Sequence, residues 1–496
     1  MNASIKKYQK ITDYIYGIIS IPENHRIFLD SFHIQRLRSI LQIPTARYVF
    51  PSVNHSCFEH SLGTYFLSHK FITDLKNRQN ELDINQNLIN TISLCGLCNN
   101  IGTVPYLNSF KSFYQEKYDI EYNSKQKAYE IILKLIEDKG IDPECMTNKS
   151  DNENFDLNII KNIFTNATNN SKFYEKIVFN PNTLIDCESF DNLNRDTFKY
   201  GINSLFDHTI LMNSAYVMND EIYYNHNDAS SISHYYNSKY IVELKYYNHR
   251  VATAIELMIK DVFKLMDQYS PLIDIINDNN KYLYFFDCYI HNIKNIEKEN
   301  KYIKEAKNIL NNIDKRNLYT WVGEYYLPND NDSEKYIKEF KEFNANTLIE
   351  NKNKDDVKLN PDEIRIKKDI ICLGPGSDPF NNILFYDNEY NTGKLKQEDV
   401  SKLLPKRYKY KIIKIFLTSK DNNKIKAAAN ALNNYKIRYK GYIDLYNPIE
   451  PKEKNIEIKT FELDEDMDNK DNQLDQKKDN QKGYNRFRDK LFSKKK

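Results

Sequence analysis

Three short segments concentrate the side chains that could act on a ligand. Cys57-Phe58-Glu59-His60-Ser61-Leu62-Gly63 carries an imidazole, Gly96-Leu97-Cys98-Asn99-Asn100-Ile101-Gly102 carries paired amides, and Ile185-Asp186-Cys187-Glu188-Ser189-Phe190-Asp191 carries carboxylates. Imidazole and carboxylate hold a divalent cation tightly enough to activate a bound water, whereas a neutral amide oxygen is a weak ligand. Should the three segments meet, the amides would weaken any metal site they joined. Cys95-Gly96-Leu97-Cys98 is formally a CxxC. It closes an apolar helical stretch with no second ligand pair, so buried packing is the expectation. Gly374-Pro375-Gly376 is a turn, since no Gly-Lys-Ser/Thr follows to cradle a phosphate.

These residues need helices to hold them. Leu88, Ile92 and Cys95 recur at helical spacing and lead into Asn99, Asn100 and Gly102, where Asn and Gly also suit a helix end. Tyr129, Ile132, Leu133 and Ile136 make a second stripe, closed by Gly140. Val251, Ala254, Ile255, Met258, Ile259, Val262, Phe263 and Met266 make the strongest one, a core face. From Leu327 to about Pro361 the chain turns polar, with Pro328-Asn329-Asp330-Asn331-Asp332 and Asn351-Lys352-Asn353-Lys354, as a linker would. Ile370–Leu373, Ile383–Tyr386 and Ile412–Leu417 predict short strands, and Lys424–Asn434 a helix. After Pro451 the charged, apolar-poor sequence predicts disorder. Its Arg486-Phe487-Arg488 and Lys494-Lys495-Lys496 fit a solvated tail better than a localisation or anion-binding signal.

A chain of 496 residues, 40% hydrophobic, can bury a large core. The mean hydropathy is -0.71, and no apolar run approaches the ~20 residues that span a bilayer. No signal-peptide core opens the sequence, so a soluble cytoplasmic or nuclear protein without membrane association is expected. The net charge of +2, from 71 basic and 69 acidic residues, supports nucleic-acid binding only weakly. Seven cysteines, at 57, 95, 98, 145, 187, 288 and 372, form no regular disulfide framework. The richness in Asn, Lys, Ile and Tyr looks like coding in an AT-rich genome.

Six motifs occur in a familiar order: Gln35-Arg36-Leu37-Arg38, Arg47-Tyr48-Val49-Phe50-Pro51, Phe58–Gly63, Tyr247-Asn248-His249-Arg250-Val251, Arg316-Asn317-Leu318-Tyr319 with Val322-Gly323-Glu324, and Val400-Ser401-Lys402-Leu403-Leu404-Pro405. The chain thereby resembles the deoxynucleoside triphosphate triphosphohydrolases in which a sterile alpha motif precedes an HD domain. The resemblance runs from about Lys10 to about Tyr435, without room for the sterile alpha motif. It implies a mainly α fold: an HD-type helical domain over 1–326, a polar linker over 327–365, a small α+β lobe over 366–450 and a charged tail over 451–496. It also implies that His60 is the lone metal-binding histidine, that Asn99-Asn100 stand at the His-Asp pair, and that Glu188 is the late carboxylate. Two amides in place of imidazole and carboxylate would leave His60 and Glu188 as the only strong donors. No cofactor is then expected, whereas an active enzyme would use iron, zinc or manganese with magnesium.

Further positions follow from the same resemblance. The proton-carrying histidines fall on Thr103, Asn108 and Ser124, and contacts to substrate phosphate and sugar on Cys57, Ser189 and Asn192, while Asp196, Lys239, Tyr247 and Asn248 are kept. At the regulatory guanine nucleotide site Asp30, Gln35 and Arg38 match the base-reading residues, and His249, Arg250 and Arg316 match contacts in a nucleotide-bridged tetramer. The positions gripping activator phosphate read Asn225, Asn227 and Thr320. Alternatively, Asp30, Gln35 and Arg38 form a buried polar network on one helix. The preferred reading is an inactive homologue keeping guanine nucleotide (GTP) binding or oligomerisation, as a homo-oligomer or mixed with an active relative. The competing ones are a weak dNTP triphosphohydrolase and a single-stranded nucleic-acid-binding protein.

Overall fold

The computed structural model describes residues 8–138, 155–165, 171–204, 206–297, 300–327, 334–375, 378–395, 397–400 and 409–438. Gly140, Cys145, Pro328–Asp332, Gly376, Ser401–Pro405 and the tail after Pro451 lie outside the described residues. The site is positioned by helices α1 (Cys57–Arg78), α2 (Gln86–Cys98), α3 (Leu107–Tyr118), α4 (Ser124–Asp138), α5 (Cys187–Tyr200), α6 (Ala229–Val242) and α7 (Arg250–Tyr269). Each start has a local cause. Ser56 and Glu59 form a reciprocal capping box at α1. Asn85 accepts from Leu88 N at α2, Asp186 from Ser189 N at α5, and His249 from Val251 N at α7. Helix α2 is buried on almost every side, as befits a helix enclosed by others. On α4 the buried face is Ala128, Ile131, Ile132, Leu135 and Ile136, whereas Leu133 of the sequence-read stripe is 39% exposed. The face is therefore rotated from that prediction.

Two glycines let backbones approach where the site forms. A Cβ on Gly63 would fall 1.8 Å from Asp191 Oδ1 and 2.5 Å from Arg195 Nη2, so the glycine allows α1 to lie against the charged side of α5. A Cβ on Gly102 would fall 2.1 Å from the Ser124 carbonyl oxygen. The turn after α2 thereby abuts the start of α4. Helix α6 runs on into a π-helical turn over Glu243–Tyr247, a local widening often found at functional sites.

Among the described residues, three small sheets complete the fold. β1 (Tyr8–Asp13) and β2 (Gly17–Pro22) form an antiparallel hairpin with Ile11 opposite Ile19. The second sheet has the order β3 (Tyr216–Met218), β4 (Glu221–Asn225), β7 (Leu384–Tyr386), β8 (Thr392–Gly393), with β4 and β7 parallel. In the third, β9 (Lys409–Leu417) lies between β5 (Thr320–Tyr326) and β6 (Ile364–Cys372) and is antiparallel to both. Helix α8 (Asn422–Arg438) covers β5, with Leu432 against Gly323.

The fold is the mainly α arrangement expected, with a small α+β lobe, but its boundaries differ. The stretch read as a linker folds into helices Glu334–Glu342 and Ala345–Ile349, and its Phe340, Phe343, Leu348 and Leu359 join the lobe core with Ile413, Ile415 and Leu432. A few apolar residues among many polar ones suffice when a sheet and a helix wait to receive them. In the other direction, Phe380, Ile383 and Phe385 pack into the large helical core, and β7 pairs with β4. The described residues all belong to one compact unit, Met1–Tyr442.

Candidate functional site

At the centre, His60 is 1% exposed and its Nδ1 lies 2.6 Å from Asp191 Oδ2. Arg195, one helical turn along α5, donates from Nε and Nη2 to the two Asp191 oxygens at 3.0 and 2.9 Å, and from Nη1 to Asp13 Oδ2 at 2.9 Å. Burial alone would raise the Asp191 carboxyl; Arg195 and His60 outweigh it and hold the pKa at about 2. An ionised Asp191 makes Nδ1 of His60 the protonated nitrogen. Nε2 is then the nitrogen presented to the site, the orientation a second-shell carboxylate gives a metal-binding histidine. It has no hydrogen-bond partner among the described residues.

The adjoining groups are not those of a metal centre. Lys125, in the first turn of α4, donates from Nζ to Glu188 Oε2 at 2.7 Å and to Asn99 Oδ1. Burial again pushes the Glu188 carboxyl upward, but the Lys125 charge, its hydrogen bond, His60 and Asn99 hold it below the usual range. Helix α2 ends at Asn99, and the buried Nδ2 of Asn100 has no partner among the described residues. Lys125 thus joins Asn99 to Glu188 at the positions assigned to the metal set, with His60 close enough to Glu188 to act on its charge.

This arrangement does not fit iron, zinc, manganese or magnesium. His60 and Glu188 are the only strong donors of the proposed set, and an ammonium group already satisfies the carboxylate. Among the described residues no group of three or more His, Cys, Asp and Glu side chains is placed to hold a metal. Cys95 and Cys98 are wholly buried, and burial raises both thiols, so they are core.

Beside this centre lies a cavity of about 230 Å³. Asn108, Asn192, Asp196 and Tyr247 are on its wall, with Gln42 and Glu256. The Tyr247 hydroxyl donates to Asp196 Oδ2, and His55 Nε2 lies 2.9 Å from Asp196 Oδ1. Gln42 links two further positions, accepting from the Cys57 thiol at 3.1 Å and donating to Asn192 Oδ1 at 3.1 Å. Lys239 and Asn248 stand apart from the wall. Burial lowers the Lys239 pKa against the opposing charges of Asp186 and Glu243. Asn248 donates to the Glu243 carbonyl at 3.1 Å and accepts from Lys414 of β9 at 2.7 Å. The Thr103 carbonyl accepts from Arg36 and from the Tyr282 hydroxyl.

The residues matched to the guanine site fall into two groups. Asp30 pairs with Arg26 at 2.9 Å, both about half exposed. Arg38 donates to Gln35 Oε1 at 2.7 Å and lies 3.6 Å from the Phe58 ring centre, while Gln35 donates to the Leu29 carbonyl at 2.8 Å. In the other group His249 meets the edge of Phe50, Arg316 donates to the Tyr48 carbonyl at 2.8 Å, and Arg250 lies 5.8 Å from the Trp321 ring centre. Asn227 is turned on its backbone N–H toward Asn225, and Thr320 toward the Ser419 carbonyl.

Sequence reasoning did not assign Lys125, Arg195, Asp13, His55 or Gln42. The i, i+4 spacing of Asp191 and Arg195 signals a helix pair, and Lys125 follows Ser124, itself one of the matched positions. Nothing in the chain marks Asp13 or His55, whose partners lie far away in sequence.

No protein-family model matches the chain. It is 27% identical over 429 residues to the Dictyostelium discoideum homolog of deoxynucleoside triphosphate triphosphohydrolase SAMHD1, covering 84% of this chain and 79% of that one. The human deoxynucleoside triphosphate triphosphohydrolase SAMHD1 is 25% identical over 460 residues, covering 84% and 72%. An Acanthamoeba polyphaga mimivirus protein named for its HD domain is 29% identical over 402 residues, covering 75% and 84%. With its motifs in family order and its helical fold, this chain is similar over most of its length to HD-domain deoxynucleoside triphosphate triphosphohydrolases.

Proposed function

We propose that the chain is a catalytically silent member of this family, acting through nucleotide binding or assembly as a regulator, a decoy or a partner of an active relative. The carrying observation is the Lys125 ammonium between Asn99 and Glu188. A hydrolase of this kind needs metals to orient triphosphate and polarise water, and mobile protons nearby. A fixed ammonium supplies one positive charge already neutralised by Glu188, and the histidine positions hold Thr103, Asn108 and Ser124. Little is left to stabilise the charge that develops in the transition state.

Purified protein assayed for bound metal and for deoxynucleoside release from each dNTP tests this reading. Substoichiometric iron, zinc and manganese after dialysis and no release above background are expected. Tight metal retention with turnover that His60→Ala abolishes would overturn it in favour of a weak dNTP triphosphohydrolase using His60, Asn99, Asn100 and Glu188.

Guanine nucleotide binding is the second part of the proposal. Asp30 is about half exposed, so its carboxylate can turn from Arg26 to the N1–H and N2–H edge of guanine. Adenine offers the wrong pattern there. Calorimetric titration with GTP and ATP checks this, equal affinities counting against it. Salt-dependent titration with single-stranded oligonucleotide tests the nucleic-acid alternative, which the charge of +2 favours little.

A further inference from the structure

We infer that the cavity beside the altered metal centre takes an uncharged nucleoside in preference to its 5′-triphosphate. The inference rests on the reading above that this is the family's substrate cavity made silent, and it adds which chemical form of the ligand is held. Three observations on charge, size and neighbouring cations carry it.

Among the described residues no Lys, Arg or His side chain lines the cavity. Its polar wall is made of the neutral groups of Gln42, Asn108, Ser109 and Asn192, with the carboxylates of Asp196 and Glu256. Amides and hydroxyls suit the edges of a base and the hydroxyls of a sugar. Phosphate oxygens would meet carboxylates and no compensating cation, an arrangement that repels an anion. The volume agrees: about 230 Å³ falls below the ~300–1,000 Å³ of pockets for drug-sized ligands, enough for a sugar and base without a polyphosphate chain.

Two lysines of this region are already paired with carboxylates. Lys125 is held by Glu188 at 2.7 Å and by Asn99. Lys367, the cation next to the cavity, is paired with Glu256. A triphosphate drawing on either lysine would have to break an ion pair and leave a partly buried carboxylate unmatched; a nucleoside breaks neither. Asp196 is itself occupied on one side by the Tyr247 hydroxyl, which fixes that wall in place.

Isothermal titration of the full chain with thymidine and with dTTP, in EDTA, tests the inference; a pyrimidine avoids the guanine-reading surface. Thymidine is expected to bind about tenfold or more tighter than dTTP. Asn108→Lys, an exposed position that adds a cation to the wall, is expected to reverse the order by raising dTTP affinity about tenfold. Tighter dTTP than thymidine in the unmodified chain, or no saturable thymidine binding at millimolar concentration, would overturn the inference. Release of thymidine from dTTP with added metal would instead overturn the silent-site reading, since the preference is measured without turnover.

Discussion

The interior centre and the surface patch around Asp30 use their polar groups in different ways. At the centre His60 is oriented by Asp191, and the Lys125 ammonium bridges Asn99 and Glu188. At the patch the residue types persist, and in this structure their polar atoms are used locally, Asp30 on Arg26 and Gln35 on Arg38 and Leu29. Burial explains the contrast. A largely buried carboxylate left unmatched is costly, and Lys125 supplies the cation that Glu188 meets. A half-exposed ion pair contributes little and can be exchanged for a ligand.

The contrast is broken most severely at Arg195. Its guanidinium is 1% exposed and serves both Asp191 and Asp13. Arg195→Ala is expected to lower stability by about 3–5 kcal/mol, the range for removing one partner of a buried pair. Urea denaturation measures this, and a change below about 1 kcal/mol would mean that the network is dispensable.

Lys125→Met is expected to lower stability by about 1–3 kcal/mol, by leaving Glu188 and Asn99 without their donor. The double variant Lys125→Met with Glu188→Gln should recover part of that loss. If both variants are equally destabilised, the coupling between the two side chains is absent and Lys125 does not stand in for a cation.

A smaller effect comes from Glu243, whose carboxyl burial pushes up to about 7 despite Lys239 and Lys414. Its folded pKa exceeds the ordinary value of 4.5, so its protonated form favours the fold. That contribution is complete below pH 4.5, declines as pH rises and is gone once pH passes about 7. Thermal melts should show a midpoint falling by about 2 °C over this window from Glu243, and Glu243→Gln should flatten that component. An identical pH profile in the variant would count against the shift.

The smallest change in stability is expected at the surface. Asp30→Ala should alter stability by no more than about 0.5 kcal/mol, yet should remove any preference for GTP over ATP. A large loss of stability would identify Asp30 as a structural residue and leave the guanine reading without support.

Much of this architecture was legible beforehand because its signals are local. The stripe from Val251 to Met266 became α7, Ile412–Leu417 became the body of β9, and Lys424–Asn434 lies inside the last helix. Asn108, Asn192, Asp196 and Tyr247 were matched through neighbouring motifs, and the cavity gathers all four. Lys239 and Asn248 were matched in the same way, yet their partners are Asp186, Glu243 and Lys414. The linker reading failed because polarity was judged segment by segment, whereas Phe340, Phe343, Leu348 and Leu359 are held by strands and a helix from elsewhere in the chain.

By itself the sequence determined the helical periodicity, the adjacent amides Asn99-Asn100 and the order of motifs, since each is a property of residue type and spacing. Only the tertiary structure decided which side chain meets Asn99 and Glu188. Lys125 lies 63 residues from Glu188, and nothing in its neighbours Ser124, Gln126 and Lys127 marks it as the partner of that carboxylate. It meets Asn99 and Glu188 because the turn at Gly102 lets the start of α4 press against the end of α2, and because Gly63 brings α1 onto the charged side of α5. A charge-compensating contact depends on distance in three dimensions, which composition and periodicity do not encode.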